Sequence, residues 1–113
     1  MSPFDAPALR VRFYVGTDMI GGGKVAFLRL LSDHGSVSAA AEAMGVTETR
    51  ALFFLDTLQA CFREPLWTGT GDARDVTPTG QALIAKFAET EAALRAEAGP
   101  FLAWLNAEQP ERG

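Results

Sequence analysis

Apolar positions change their period several times along the chain. From Leu9 to Val15 they alternate with Arg10 and Arg12 and then run together, which predicts a strand with the two arginines on its exposed face. The glycine-rich stretch Gly16–Gly23 reads as a loop. Helical spacing begins at Lys24 and holds to Leu31, with Phe27, Leu30 and Leu31 facing a core, and stops near Asp33-His34-Gly35. A short alanine-rich helix follows from Val37 to Met44, and the small side chains of Ala39, Ala40 and Ala43 let a neighbouring helix approach closely. Gly45 can take a positive φ without steric cost and so end that helix. Thr47 can then cap the next one through its hydroxyl, with Glu48 favourably placed in the first turn. Ala51, Leu55, Leu58 and Phe62 fall at steps of four, three and four, which is one face of a helix from Glu48 to about Phe62. Two helices joined at a glycine have the layout of a helix-turn-helix.

Pro65 breaks the pattern. Leu66-Trp67 and Val76 predict two short strands around the turn Thr68–Asp72, forming a small hairpin, or wing. Leu66 and Trp67 are expected to plug the core beneath it. Thr77-Pro78 is a helix start, with Thr as cap and Pro at the first helical position. This helix is expected to run to about Ala98, where Gly99-Pro100 ends it, with Phe101–Leu105 as a short terminal helix. Leu83, Ile84, Phe87, Glu91 and Leu94 give it a partly apolar stripe, which invites self-association. The expected fold is mainly α with a small β-wing: a winged helix-turn-helix over residues 1–77, the first eight flexible, and a dimerisation segment over residues 78–113. The last residues are polar and expected to fray.

With 113 residues, 48% of them hydrophobic, the chain can fold around one core. No apolar run is long enough for a membrane span, and the first residues lack the features of a signal peptide. A lone cysteine, Cys61, cannot form an internal disulfide and is expected to act as a small buried hydrophobe near the core. These features predict a cytoplasmic protein. The formal charge is −4 and the sequence pI about 4.9, which argues against strong non-specific binding to DNA. Acids are frequent after Pro78 (Glu89, Glu91, Glu97, Glu108, Glu111), so a local basic patch elsewhere is compatible with that balance.

Catalytic chemistry is not indicated. The glycines before Lys24 suggest a phosphate loop, but Asp18 stands where the motif needs its first glycine, and Val25 where it needs a hydroxyl for magnesium. The glycines are better read as a flexible connection, with Lys24 solvated. His34, the only histidine, is expected at a helix end near free carbonyls. One His, one distant Cys and no clustered carboxylates suggest neither a metal site, a cofactor nor a catalytic triad.

Taken together, Gly35-Ser-Val-Ser-Ala-Ala-Ala, Met44-Gly45-Val46-Thr47, Pro65-Leu66-Trp67 and Val76-Thr77-Pro78-Thr79-Gly80 resemble the N-terminal DNA-binding domain of ModE-type, molybdate-responsive regulators. They are similar also to the winged helices of LysR-type regulators. The resemblance runs from about Leu9 to Leu94. It implies a transcription regulator in which the helix opening at Thr47 enters the major groove, the wing touches the backbone and the long helix pairs two subunits. The molybdate-binding domains of such regulators follow this one, and the remaining sequence is too short to hold them, so molybdate binding is not expected. The chain departs from the pattern Ser-Tyr-Arg-Arg-Ala-Trp at the recognition helix, having Thr47-Glu48-Thr49-Arg50-Ala51-Leu52. Its wing is short, with Arg74 between Asp72 and Asp75.

If Ala51, Leu55, Leu58 and Phe62 face inward, Glu48, Thr49, Leu52, Phe53 and Asp56 face outward. Thr47, Thr49 and Arg50 are then the candidate contacts to double-stranded DNA, Arg50 suiting the edge of a guanine. Ser36 and Ser38 could hold a phosphate at the N-terminus of the preceding helix, and Arg74 could meet the backbone from the wing. Leu52, Phe53, Phe101 and Trp104 are candidate protein contacts. The leading expectation is a regulator that binds DNA as a homodimer. The alternative is a winged helix turned protein-interaction module, with little DNA affinity left, that acts on another regulator.

Overall fold

The computed structural model describes residues 6–110. The flexibility expected of the first eight residues and the fraying expected of the last ones fall partly outside that range. A hairpin of β1 (Arg12–Val15) and β2 (Asp18–Gly21) leads into three helices: α1 (Gly22–His34), α2 (Val37–Met44) and α3 (Glu48–Gln59). A second hairpin, β3 (Trp67–Thr68) and β4 (Asp75–Val76), forms the wing, and α4 (Pro78–Glu108) completes the order. Both hairpins are antiparallel, with Arg12 opposite Gly21 in the first and Trp67 opposite Val76 in the second. This is a winged helix: mainly α, with a small β-wing and a long C-terminal helix.

The core is one cluster in which Phe27, Leu28, Leu31, Leu55, Leu58 and Leu66 are fully buried. α3 turns Ala51, Leu55 and Leu58 inward as its periodicity predicts, while Phe62 is only half-buried beyond the helix end. On α1 Phe27, Leu28 and Leu31 are fully buried, and Leu30 packs at the margin. Ile84 and Phe87 seat the first half of α4 on this cluster. Leu66 plugs the core as expected, but Trp67 lies half-buried over its edge.

Several local expectations need correction. Residues 18–21 are not loop: Gly16, at φ 62°, turns the chain, and Asp18–Gly21 pairs along β1. The glycine-rich composition hid that pairing, and Gly22 and Gly23 belong to the first turn of α1. Lys24 is half-buried rather than solvated, its amino group donating to the Met19 carbonyl at 2.9 Å. α3 stops at Gln59 instead of Phe62, because the Gln59 amide donates to the Glu64 carbonyl at 2.9 Å and accepts from the Leu66 N–H at 2.8 Å, gathering the following turn. α4 runs unbroken through Gly99 and Pro100. Proline removes the donor to the carbonyl of Ala96, but both residues are exposed and water can take that role. The expected break therefore costs one hydrogen bond rather than the helix. Cys61 is half-buried, its thiol 3.5 Å from the Thr57 carbonyl, and burial with nearby Asp18 pushes its pKa up.

The start of α4 is fixed by close backbone contact. Thr77 caps the helix by accepting from the Gly80 N–H at 3.2 Å and donates its hydroxyl to the Pro65 carbonyl at 2.7 Å. Gly80 lies against the Leu66 carbonyl oxygen and Val76 Cγ1, with no room for a Cβ. Gly80→Ala is therefore expected to destabilise the fold by about 1–3 kcal/mol, the usual range for overpacking, measurable as a lower midpoint in chemical denaturation with an unchanged slope.

Candidate nucleic-acid interface

The helix-turn-helix is built as its residues predict. Gly45 ends α2 at φ 78°, and Thr47 Oγ1 caps α3 by accepting from the Arg50 N–H at 3.1 Å. With its apolar face in the core, α3 presents Glu48, Thr49, Arg50, Leu52, Phe53 and Asp56 on the exposed side. Leu52 and Phe53 are 40% and 56% exposed, with the Lys24 amino group 5.9 Å from the centroid of the Phe53 ring.

The candidate residues are not equally placed. Thr47 and Thr49 are exposed, the first with its hydroxyl engaged in the cap. The Arg50 guanidinium lies over the Phe54 ring, one turn further along α3, 5.1 Å from the centroid. Arg74 folds onto the wing itself, donating from Nε to the Gly71 carbonyl at 3.0 Å and lying 5.7 Å from the Trp67 ring centroid. Phe101 and Trp104 stack on each other far along α4, with ring centroids 6.0 Å apart, and both are more than half exposed.

The N-terminus of α2 already holds an anion. Ser38 donates from its N–H to Asp72 Oδ1 at 2.8 Å and from its hydroxyl to Asp72 Oδ2 at 2.7 Å. Ser36 is engaged too, its hydroxyl accepting from the Ala39 N–H at 3.1 Å. The wing backbone completes the joint: Val37 N–H donates to the Asp72 carbonyl and Arg74 N–H to the Gly35 carbonyl. In this conformation the place proposed for a DNA phosphate is occupied by a carboxylate of the wing. Sequence reading treated Asp72 only as a charge beside Arg74. The residues it pairs with lie 34 positions away, so no local spacing signals the contact.

Among the described residues no group of three or more His, Cys, Asp or Glu could hold a metal ion. Among them, no helix is long and apolar enough to cross a membrane.

Known proteins share this architecture. The crystal structure of VV2_1132, a LysR family transcriptional regulator, superposes with a TM-score of 0.60 at 21% identity, covering 73% of this chain and 28% of that one. The probable transcriptional regulator PA0477 from Pseudomonas aeruginosa gives a TM-score of 0.53 at 22% identity, over 82% of this chain and 29% of that one. At such identities the likeness is one of fold. In sequence, the chain is 34% identical over 84 residues to the molybdenum-pterin-binding protein MopA of Rhodobacter capsulatus, a match over 70% of this chain. The chain spans about a third of the length of that curated relative, 32%. No family model matches.

The two hydrogen bonds from Ser38, its hydroxyl bond first, hold the Asp72 carboxyl below its ordinary pKa. A carboxylate with a depressed folded-state pKa stabilises the fold above its unfolded pKa, and that contribution is lost as pH falls through the folded value. The joint between wing and α2 is therefore expected to be intact at neutral pH and to loosen only below the usual carboxylate range. Asp72→Asn should loosen it already at neutral pH. Hydrogen exchange at the Ser38 amide checks both: unchanged protection in Asp72→Asn would count against the joint.

Proposed function

We propose that this chain is a DNA-binding regulator of transcription, without enzymatic activity, acting in the cytoplasm as a homodimer. The observation that carries the reading is the exposed outer side of α3, held by a capped helix-turn-helix in the same architecture as two transcriptional regulators. The partial match to MopA agrees with the ModE-like resemblance of the sequence but spans too little of that protein to bring its binding activity here. Thr47, Thr49 and Arg50 are the proposed contacts of α3 with base edges and phosphates, and Arg74 a backbone contact from the wing once it leaves Trp67. Ser36 and Ser38 would join them only on release of Asp72.

A specific observation also favours the protein-interaction reading. Leu52 and Phe53 stand exposed between the carboxylates Glu48 and Asp56, a surface that suits a protein better than a phosphate backbone. Salt separates the two. DNA affinity through arginines should fall steeply as salt rises, whereas pairing through Leu52 and Phe53 should hardly respond. Under the DNA reading, Arg50→Ala lowers specific affinity by about 1–3 kcal/mol if Arg50 reads a base. Footprinting and a salt series on wild type and variant decide it, and an unchanged footprint removes Arg50 from the interface.

Residues 78–113 are the proposed dimerisation segment. α4 reaches well past its last core contacts, carrying Leu94, Phe101 and Trp104 exposed at 41%, 60% and 57%. Exposed apolar groups along one helix would be buried by the same helix of a second copy. Sedimentation of the full chain is expected to give a dimer, and the Phe101→Asp, Trp104→Asp double variant a monomer that keeps its helical spectrum. A wild-type monomer at micromolar concentration would refute the segment's role.

A further inference from the structure

The β1–β2 hairpin, the first turn of α1, the N-terminal end of α3 and the middle of α4 enclose an open pocket of about 330 Å3. Its charge is opposite to that of the chain. Among the described residues, Arg10, Arg12, Lys24, Arg50 and Arg95 line it, against the single acid Glu91. Glu91 is tied to Arg95 at 3.1 Å, which neutralises that pair. Arg10 is engaged elsewhere as well, and Arg12, Lys24 and Arg50 are brought from three elements to one concavity. Lys24 spends one donor on the Met19 carbonyl, and Arg50 lies over Phe54, a contact that consumes none of its N–H groups. The walls between them include the apolar Val11 and Phe54. Converging like charges repel each other, and beside apolar walls that repulsion is less screened than in open water. A bound anion converts it to attraction.

We propose that this pocket is a site for a phosphoryl oxyanion. Cations arriving from several directions fit the tetrahedral oxygens of a phosphate better than a planar carboxylate, and guanidinium groups can bind it in bidentate fashion. Gly22 and Gly23 add the amides of the first turn of α1, whose N-cap, Gly21, offers no side chain to satisfy them. The failed phosphate-loop motif and this pocket share Lys24 and its preceding glycines, but the site takes its remaining charge from β1 and α3, which no linear motif records. The phosphoryl group has two sources: free phosphate or a phosphomonoester, or a backbone phosphate of a duplex lying on α3. The second source rests on the DNA reading above, and the first does not.

The test is titration of inorganic phosphate into the full chain at low ionic strength, by calorimetry and by amide chemical shifts. Saturable binding of one phosphate per chain is expected, with shifts centred on Gly22, Gly23 and Lys24. Arg12→Gln, on an exposed strand, should weaken it about tenfold, the loss of one charge-assisted contact, while Arg12→Lys restores most of it and Arg63→Gln leaves it unchanged. Where inorganic phosphate does not saturate but Arg12→Gln lowers the salt dependence of duplex binding by about one phosphate contact, the site holds and its source is the backbone. Phosphate shifts centred elsewhere in the wild type overturn the proposal whether or not the variants fold. So does the absence of both effects in folded Arg12→Gln. If no duplex binds at all, the DNA reading fails alone, and the phosphate titration still decides the pocket.

Discussion

Leu66 is the joint on which this structure turns. Its side chain is fully buried among residues from α1 and α3, and both of its backbone polar groups are paired. The N–H donates to Gln59 at the end of α3, and the carbonyl accepts from Thr77 at the start of α4 and meets Gly80 inside α4. A single residue thus fixes where α3 ends, where the wing begins and how α4 crosses the core. A buried backbone group without a partner costs about as much as a lost hydrogen bond, so disturbance at any one of these contacts reaches the others. The end of α3 is thus tied to this joint as well as to its own apolar stripe.

Much of the fold was legible because local rules and burial agreed. Thr47 and Thr77 cap the helices they were expected to cap, Gly45 takes the positive φ its position demanded, and Ala51, Leu55 and Leu58 occupy the face their spacing assigns. Where the reading failed, tertiary context outweighed composition. Glycines suggested a loop, yet Asp18–Gly21 pairs as a strand because β1 lies beside it. Gly99-Pro100 suggested a stop, yet an exposed helix far from the core can carry a proline.

The candidate site was legible in outline and not in its electrostatics. The exposed row on α3 follows from the inward stripe by subtraction. What sequence could not give is how charges meet across distance. Asp72 reaches Ser38 from the wing, and Arg12, Lys24 and Arg50 gather from β1, α1 and α3. A net charge of −4 conceals both facts: an acid fills the anion seat that the motif advertised, while five of the described basic residues face a pocket that no motif marks.

β1 is bound to the body chiefly through its pairing with β2. All four of its residues are exposed, and its aromatic contact with the body is the edge-to-face meeting of Phe13 and Phe87. Segments with few buried contacts open at a fraction of the free energy of global unfolding. Transient detachment of this strand would carry Arg12 away while α1, α2 and α3 stay folded. The concavity it helps to form would open with it. Any molecule that lodges there slows the loss of the strand and leaves the rest of the fold untouched.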